Sequence, residues 1–79
     1  MSPLESAIFD LIRSSRGDIQ PLAILLAEVR IRPEFSEIKM HQVEFACSSL
    51  ARQSKIWYGP DGAKLRHHEP KQEPQRRLF

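Results

Sequence analysis

Past Ser54 the apolar pattern of this chain changes its period. Before that point apolar residues recur every three or four positions. Beyond it, Lys55-Ile56-Trp57-Tyr58 and Ala63-Lys64-Leu65-Arg66-His67-His68 read with the two-residue period of strands. Between the two runs stands Gly59-Pro60-Asp61-Gly62. Pro presets one turn dihedral and Gly permits positive φ, so the pair of runs predicts a β-hairpin. A chain of 79 residues has room for one domain. The fold class expected is therefore mainly α with a small β-hairpin, over residues 1–68, followed by a tail over 69–79.

Three helical stripes precede the hairpin. Ser2 and Glu5 have the spacing of a capping box, with Pro3 at the first helical position, where its missing N–H costs nothing. Leu4, Ala7, Ile8, Leu11 and Ile12 then line one face, and Gly17 is expected to stop the helix, which is placed at about 3–15. Asp18-Ile19-Gln20 reads as a short link, a minimal strand with Ile19 pointing inward. Pro21 opens a second helix to about Arg30, with Leu22, Leu25, Leu26 and Val29 buried and Ile24 off the stripe. Pro33 pushes Arg32 out of helical geometry. Ile31, Phe35 and Ile38 are expected to anchor the loop that follows, and Ser36 to cap a short turn. The third helix is expected over Lys39–Gln53, burying Met40, Val43, Ala46, Cys47 and Leu50.

This order of elements resembles the winged helix-turn-helix family. The apolar spacing of Val43, Ala46, Cys47 and Leu50, with Ile56 opening the strand, carries most of the resemblance. Leu22 and Ala23 fit the start of that family's second helix, and the likeness covers residues 4–68. It implies that the hairpin is the wing. One departure stands out: the link from Val29 to Lys39 is about ten residues, where the family uses a three- or four-residue turn, and this alters how the third helix is presented.

Charge is distributed unevenly. Residues 1–65 hold eight Lys or Arg and eight Asp or Glu. The net charge of +2 comes entirely from residues 66–79, where Arg66, Lys71, Arg76 and Arg77 stand against Glu69 and Glu73. Phosphate-backbone affinity draws on released counterions and hence on a basic surface, so any binding to duplex DNA is expected to be weak and salt-sensitive. Cys47 has no second cysteine to pair with, which points to a reducing, cytoplasmic setting and a small buried side chain. No apolar run is long enough to cross a membrane, and Met1-Ser2-Pro3-Leu4-Glu5 lacks the pattern of a signal peptide.

Candidate binding residues lie on the third helix and the hairpin. On the helix, His41, Gln42, Glu44, Phe45, Ser48, Ser49 and Arg52 fall outside the apolar stripe, and Gln42 and Arg52 have the chemistry to read base edges or phosphates. Phe45 is better matched to another protein surface or to the preceding loop. On the hairpin, Lys55, Lys64 and Arg66 interleave with Trp57 and Tyr58, a mixture that can stack on bases and follow a backbone. One of Trp57 and Tyr58 must instead cover the core. His67 and His68 are adjacent and point to opposite faces of a strand, so no metal site is expected. No nucleophile with a base and no phosphate-cradling glycine loop is present, and the chain reads as a non-enzyme without cofactors.

The tail carries the second resemblance. Glu69-Pro70-Lys71-Gln72-Glu73-Pro74 is too polar and proline-rich to pack, and Gln75-Arg76-Arg77-Leu78-Phe79 follows it. Q-x-x-L-F resembles the pentapeptide by which bacterial replication and repair proteins dock on the polymerase sliding clamp. The resemblance implies that Gln75 makes a polar contact while Leu78 and Phe79 fill an apolar pocket. Arg76-Arg77-Leu78-Phe79 also resembles the R-x-L docking peptide read by cyclins. Together these features lead to the expectation of a small adaptor acting at DNA, tethered through its tail. The alternatives are a site-specific transcription regulator, which would have to dimerise to read enough bases, and a purely protein-binding module of phage or plasmid type. Both a monomer and a homodimer are compatible with the sequence.

Overall fold

The computed structural model describes residues 1–66. Helix α1 (Pro3–Ser14) is followed by α2 (Leu22–Val29), a 3-10 turn (Pro33–Phe35), α3 (Met40–Arg52), and strands β1 (Ile56–Gly59) and β2 (Gly62–Leu65). The protein is mainly helical with one small antiparallel hairpin, an arrangement compatible with a winged-helix shape. His67, His68 and the tail residues Gln75, Leu78 and Phe79 lie outside the described residues, as does the boundary expected at residue 68.

Helix α1 begins as its sequence dictates. The Glu5 backbone N–H donates to Ser2 Oγ at 3.2 Å, and the Ser2 N–H donates to Glu5 Oε1 at 3.1 Å. Two otherwise orphaned donors are thereby satisfied. The end of the helix differs from expectation. Ser15 is the C-cap and Arg16 takes the left-handed position at φ 56°, with Gly17 following at φ 98°. Glycine is thus used one residue later than a simple helix stop would place it.

The end of α3 is a complete Schellman motif, and it creates the hairpin. Gln53 is the C-cap and Ser54 is left-handed at φ 62°. The Ser54 N–H donates to the Ala51 carbonyl at 3.0 Å, and the Lys55 N–H reaches back to the Leu50 carbonyl at 3.0 Å. The chain reverses there and enters β1 at once. The strands pair Ile56 with Leu65, Trp57 with Lys64, Tyr58 with Ala63 and Gly59 with Gly62.

A third extended residue completes the small sheet. Gln20 bridges to Ala63, its N–H donating to the Ala63 carbonyl at 2.7 Å and its carbonyl accepting from the Ala63 N–H at 3.0 Å. The link after α1 therefore does form a minimal strand, with β2 lying between it and β1. Gly62 makes this approach possible. It is buried at φ 135°, and a Cβ there would run into the Gln20 carbonyl. The inward residue of the link is not Ile19, which is 40% exposed. The bridge is made by Gln20, so alternation turns its neighbour outward.

The core joins all three helices to the hairpin. Ala7, Ile8 and Ile12 of α1, Leu25 and Val29 of α2, Val43, Ala46, Cys47 and Leu50 of α3, and Ile56 and Ala63 of the hairpin form one buried cluster. Leu4, Leu11, Leu22, Leu26, Phe35, Ile38, Tyr58 and Leu65 pack around it, partly buried. Full burial of each Leu or Ile stabilises by about 1.5–3 kcal/mol. Ile24 is exposed, as its place off the stripe of α2 implies.

One expectation for the long link needs correction. Ile31 is 75% exposed and anchors nothing. The Ile31 N–H is held by the Glu28 carbonyl and the Arg32 N–H by the Val29 carbonyl, a turn that carries the side chain outward. Ser36 does cap a short turn, the 3-10 turn, at its C-terminal end, and Pro33 opens it. Pro33 has the fixed φ and absent donor that suit a first helical position.

Candidate functional site

Among the described residues no polar or charged side chain is buried. The polar groups of these residues lie on the surface, and the hairpin offers the clearest arrangement of them. Its core face is made by Ile56, Tyr58, Ala63 and Leu65, all buried or packed against the core. Alternation sends Trp57 and Lys64 to the other face, opposite each other in register. The Lys64 Nζ lies 5.7 Å from the centroid of the Trp57 ring, within cation–π range.

The choice between the two aromatics is thereby resolved. Tyr58 packs inward, and burial pushes its phenol pKa up. Trp57 lies outward at 39% exposure, with its ring over Gly59. Arg66 is exposed immediately after β2, and continuing the alternation by one residue puts it on the Lys64 side. An aromatic plane with two cations thus faces away from the core.

The other expected DNA-binding residues are placed differently. Lys55 is half-buried, with its Nζ 5.9 Å from the centroid of Phe9, and Arg13 approaches the same ring at 5.7 Å. Phe9 thus draws Lys55 toward α1. Arg52 is exposed at the last position of α3, close enough to Glu5 for its charge to help hold that carboxyl ionised. Gln42 sits in the first turn of the same helix, half-buried, and its Oε1 accepts from the Lys39 N–H at 2.9 Å. That bond uses one of the two lone pairs of the amide oxygen and ties the side chain to the start of α3. The structure therefore brings together Lys64 and Arg66, with Trp57 opposite Lys64 on the neighbouring strand, and leaves Gln42 at the far end of α3.

A second surface was not legible from residue spacing. Ser2, Leu4 and Glu5 of the α1 N-terminus and His41, Gln42, Phe45 and Ala46 of α3 enclose an open concavity of about 480 Å3. Phe45 forms one wall and is 69% exposed. Leu4 was legible only as core. Its second role depends on how α1 crosses α3, which no periodicity reports; the one available signal was an aromatic off the α3 stripe. Glu5 marks the rim. Its carboxyl is held below the usual range, first by the Ser49 hydroxyl and then by the Ser2 backbone N–H.

Among the described residues no group of three His, Cys, Asp or Glu side chains is placed to hold a metal ion, and no helix is long and apolar enough to cross a membrane. Compared with models of protein families, with curated proteins and with solved structures, the chain matches none.

Proposed function

We propose that this protein is a small non-enzymatic adaptor acting at DNA. Its hairpin contacts the duplex weakly, and Gln75, Leu78 and Phe79 dock on the polymerase sliding clamp. The observation that carries the DNA contact is the Trp57–Lys64 pair, with Arg66 beside it on the outward face of the hairpin. Aromatic and cationic groups together can stack on a sugar or base and neutralise phosphate. Near charge balance over residues 1–65 limits the affinity. A tether to a ring already threaded on DNA makes weak contact sufficient, because the second binding event becomes intramolecular.

The clamp contact is supported by the sequence of Gln75, Leu78 and Phe79. Leu78 and Phe79 each contribute about 1.5–3 kcal/mol when buried in a partner's groove. The Gln75 amide can both donate and accept at its rim. The test compares binding of the full chain to clamp-loaded DNA and to the same DNA bare. The adaptor binds clamp-loaded DNA more tightly, and the Leu78→Ala/Phe79→Ala variant loses that gain while keeping its weak affinity for bare DNA. Equal affinity for the two substrates would remove the tether.

A second reading has one observation in its favour. The exposed Phe45 beside Leu4 suits a protein-binding module without DNA contact. It is favoured if bare duplex gives no binding at any salt concentration.

A further inference from the structure

We propose that the concavity between α1 and α3 is the cis docking site for Leu78 and Phe79 of the same chain, occupied when no partner holds them. The inference does not rest on the identity of that partner.

Three observations carry it. The first is the chemistry of the site. Leu4, Phe45 and Ala46 give the concavity an apolar floor and wall, and Phe45 stands uncovered by the described residues. Leu78 and Phe79 are adjacent large apolar side chains outside those residues.

The second is charge. Glu5 sits on the rim and is held ionised by its surroundings. Arg76 and Arg77 immediately precede Leu78. A segment seated by its apolar pair brings two cations near this carboxylate, to which the N-terminal ammonium and Arg52 are also close.

The third is reach. Phe45 lies seven residues before Arg52, the end of α3, which is about 10 Å of helical rise. The chain then turns back, the Lys55 N–H reaching the Leu50 carbonyl at 3.0 Å, and extending the strand register by one pair puts Arg66 opposite Lys55, about 5 Å away. A path from Arg66 to Phe45 is thus about 25 Å, once the width of a helix is added. Leu78 is twelve residue steps beyond Arg66, and that length spans about 40 Å when extended. A linker somewhat longer than its span gives an effective concentration in the millimolar range, so a weak contact is populated.

Docking in cis hides the residues that a clamp-type partner would read. Partner binding then has to displace them, which sets a threshold without a second protein.

The test is paramagnetic NMR on the full chain. A nitroxide is attached at Gln72→Cys; Cys47 is buried and its thiol pushed up to about 11, so it stays unlabelled. The amides of Leu4, His41, Phe45 and Ala46 are expected to lose most of their intensity relative to the reduced label. The loss is independent of protein concentration, and it disappears in Phe45→Ala and in Leu78→Ala/Phe79→Ala. Phe45 is exposed, so its variant folds, and circular dichroism checks this. Unaffected or uniformly affected amides would overturn the proposal. A loss that vanishes on dilution would also overturn it, by assigning the site to the tail of a second copy. No clamp is present in this experiment, so its failure and failure of the clamp reading are separate results.

Discussion

The indole of Trp57 rests on Gly59. A Cβ at Gly59 would stand 2.5 Å from Cη2 and 2.7 Å from Cζ2 of that ring. The absent side chain is what lets the ring lie flat along the strand and present its face beside Lys64. Gly59→Ala should therefore lift the indole off the hairpin. Trp57 is the one tryptophan of the chain, so its emission reports the change without a label. The expected result is a red-shifted maximum with a stability loss of about 0.5–1.5 kcal/mol, the cost of an off-rotamer side chain. An unchanged spectrum would show that the ring does not depend on this glycine.

The reversal after α3 gives an opposite expectation. Ser54 holds a left-handed conformation at φ 62°, which a β-carbon disfavours by roughly 1–2 kcal/mol. The surrounding bonds, from Ser54 and Lys55 back to Ala51 and Leu50, need only backbone. Ser54→Gly is expected to stabilise by up to about 1 kcal/mol, the gain from strain relief less the entropy cost of glycine. Urea unfolding measures it, and a destabilised variant would show that the Ser54 side chain contributes more than its strain.

Leu50 tests the core. It is fully buried where α3 meets the other elements. Leu50→Ala is expected to cost about 2–5 kcal/mol, a large share of the stability of so small a domain. A loss below about 1 kcal/mol in urea unfolding would mean that the site collapses or that another face of α3 is inward.

Much of this architecture was legible in the sequence, and the reasons for the failures are physical. The Ser2–Glu5 capping box, the Val43–Leu50 stripe and the Gly59–Gly62 turn are local, so their residues alone determine them. Ile31 and Ile19 failed because being apolar does not say where a short link turns. The hydrogen bonds at Glu28 and Val29, and the bridge from Gln20 to Ala63, set those directions. Lys64 and Trp57 were legible as residues of interest, but their pairing awaited the register. The recruitment of Lys55 by Phe9 and the Leu4–Phe45 concavity depend on how α1 crosses α3, a relationship with no sequence period.

Cys47 makes the fold pH-dependent at the alkaline end. Burial raises its thiol from an ordinary value of 9.0 to about 11. The neutral thiol is thus favoured in the folded state, and the unfolded chain ionises first. The associated stability is fully present below about 9 and is lost as pH rises through about 11. Tyr58, also raised by burial, acts in the same sense. Urea midpoints should fall as the solution is made alkaline, and Cys47→Ala should flatten part of that fall. A thiol reagent at neutral pH should label Cys47 only as fast as the protein opens, since the thiolate is the nucleophile. Rapid labelling of the folded protein would contradict the burial.

The most direct measurement for action at DNA is the emission of Trp57 during titration with duplex DNA. If the outward face of the hairpin meets the duplex, emission is quenched saturably. With Lys64 and Arg66 as the phosphate contacts, the logarithm of the binding constant falls with that of salt concentration at a slope of about −2. Lys64→Ala should make the slope shallower by about one unit and weaken binding on every sequence alike. Binding that leaves Trp57 emission unchanged, or that is as tight and as salt-dependent in Lys64→Ala as in the unaltered protein, would contradict the assignment of the hairpin as the DNA contact.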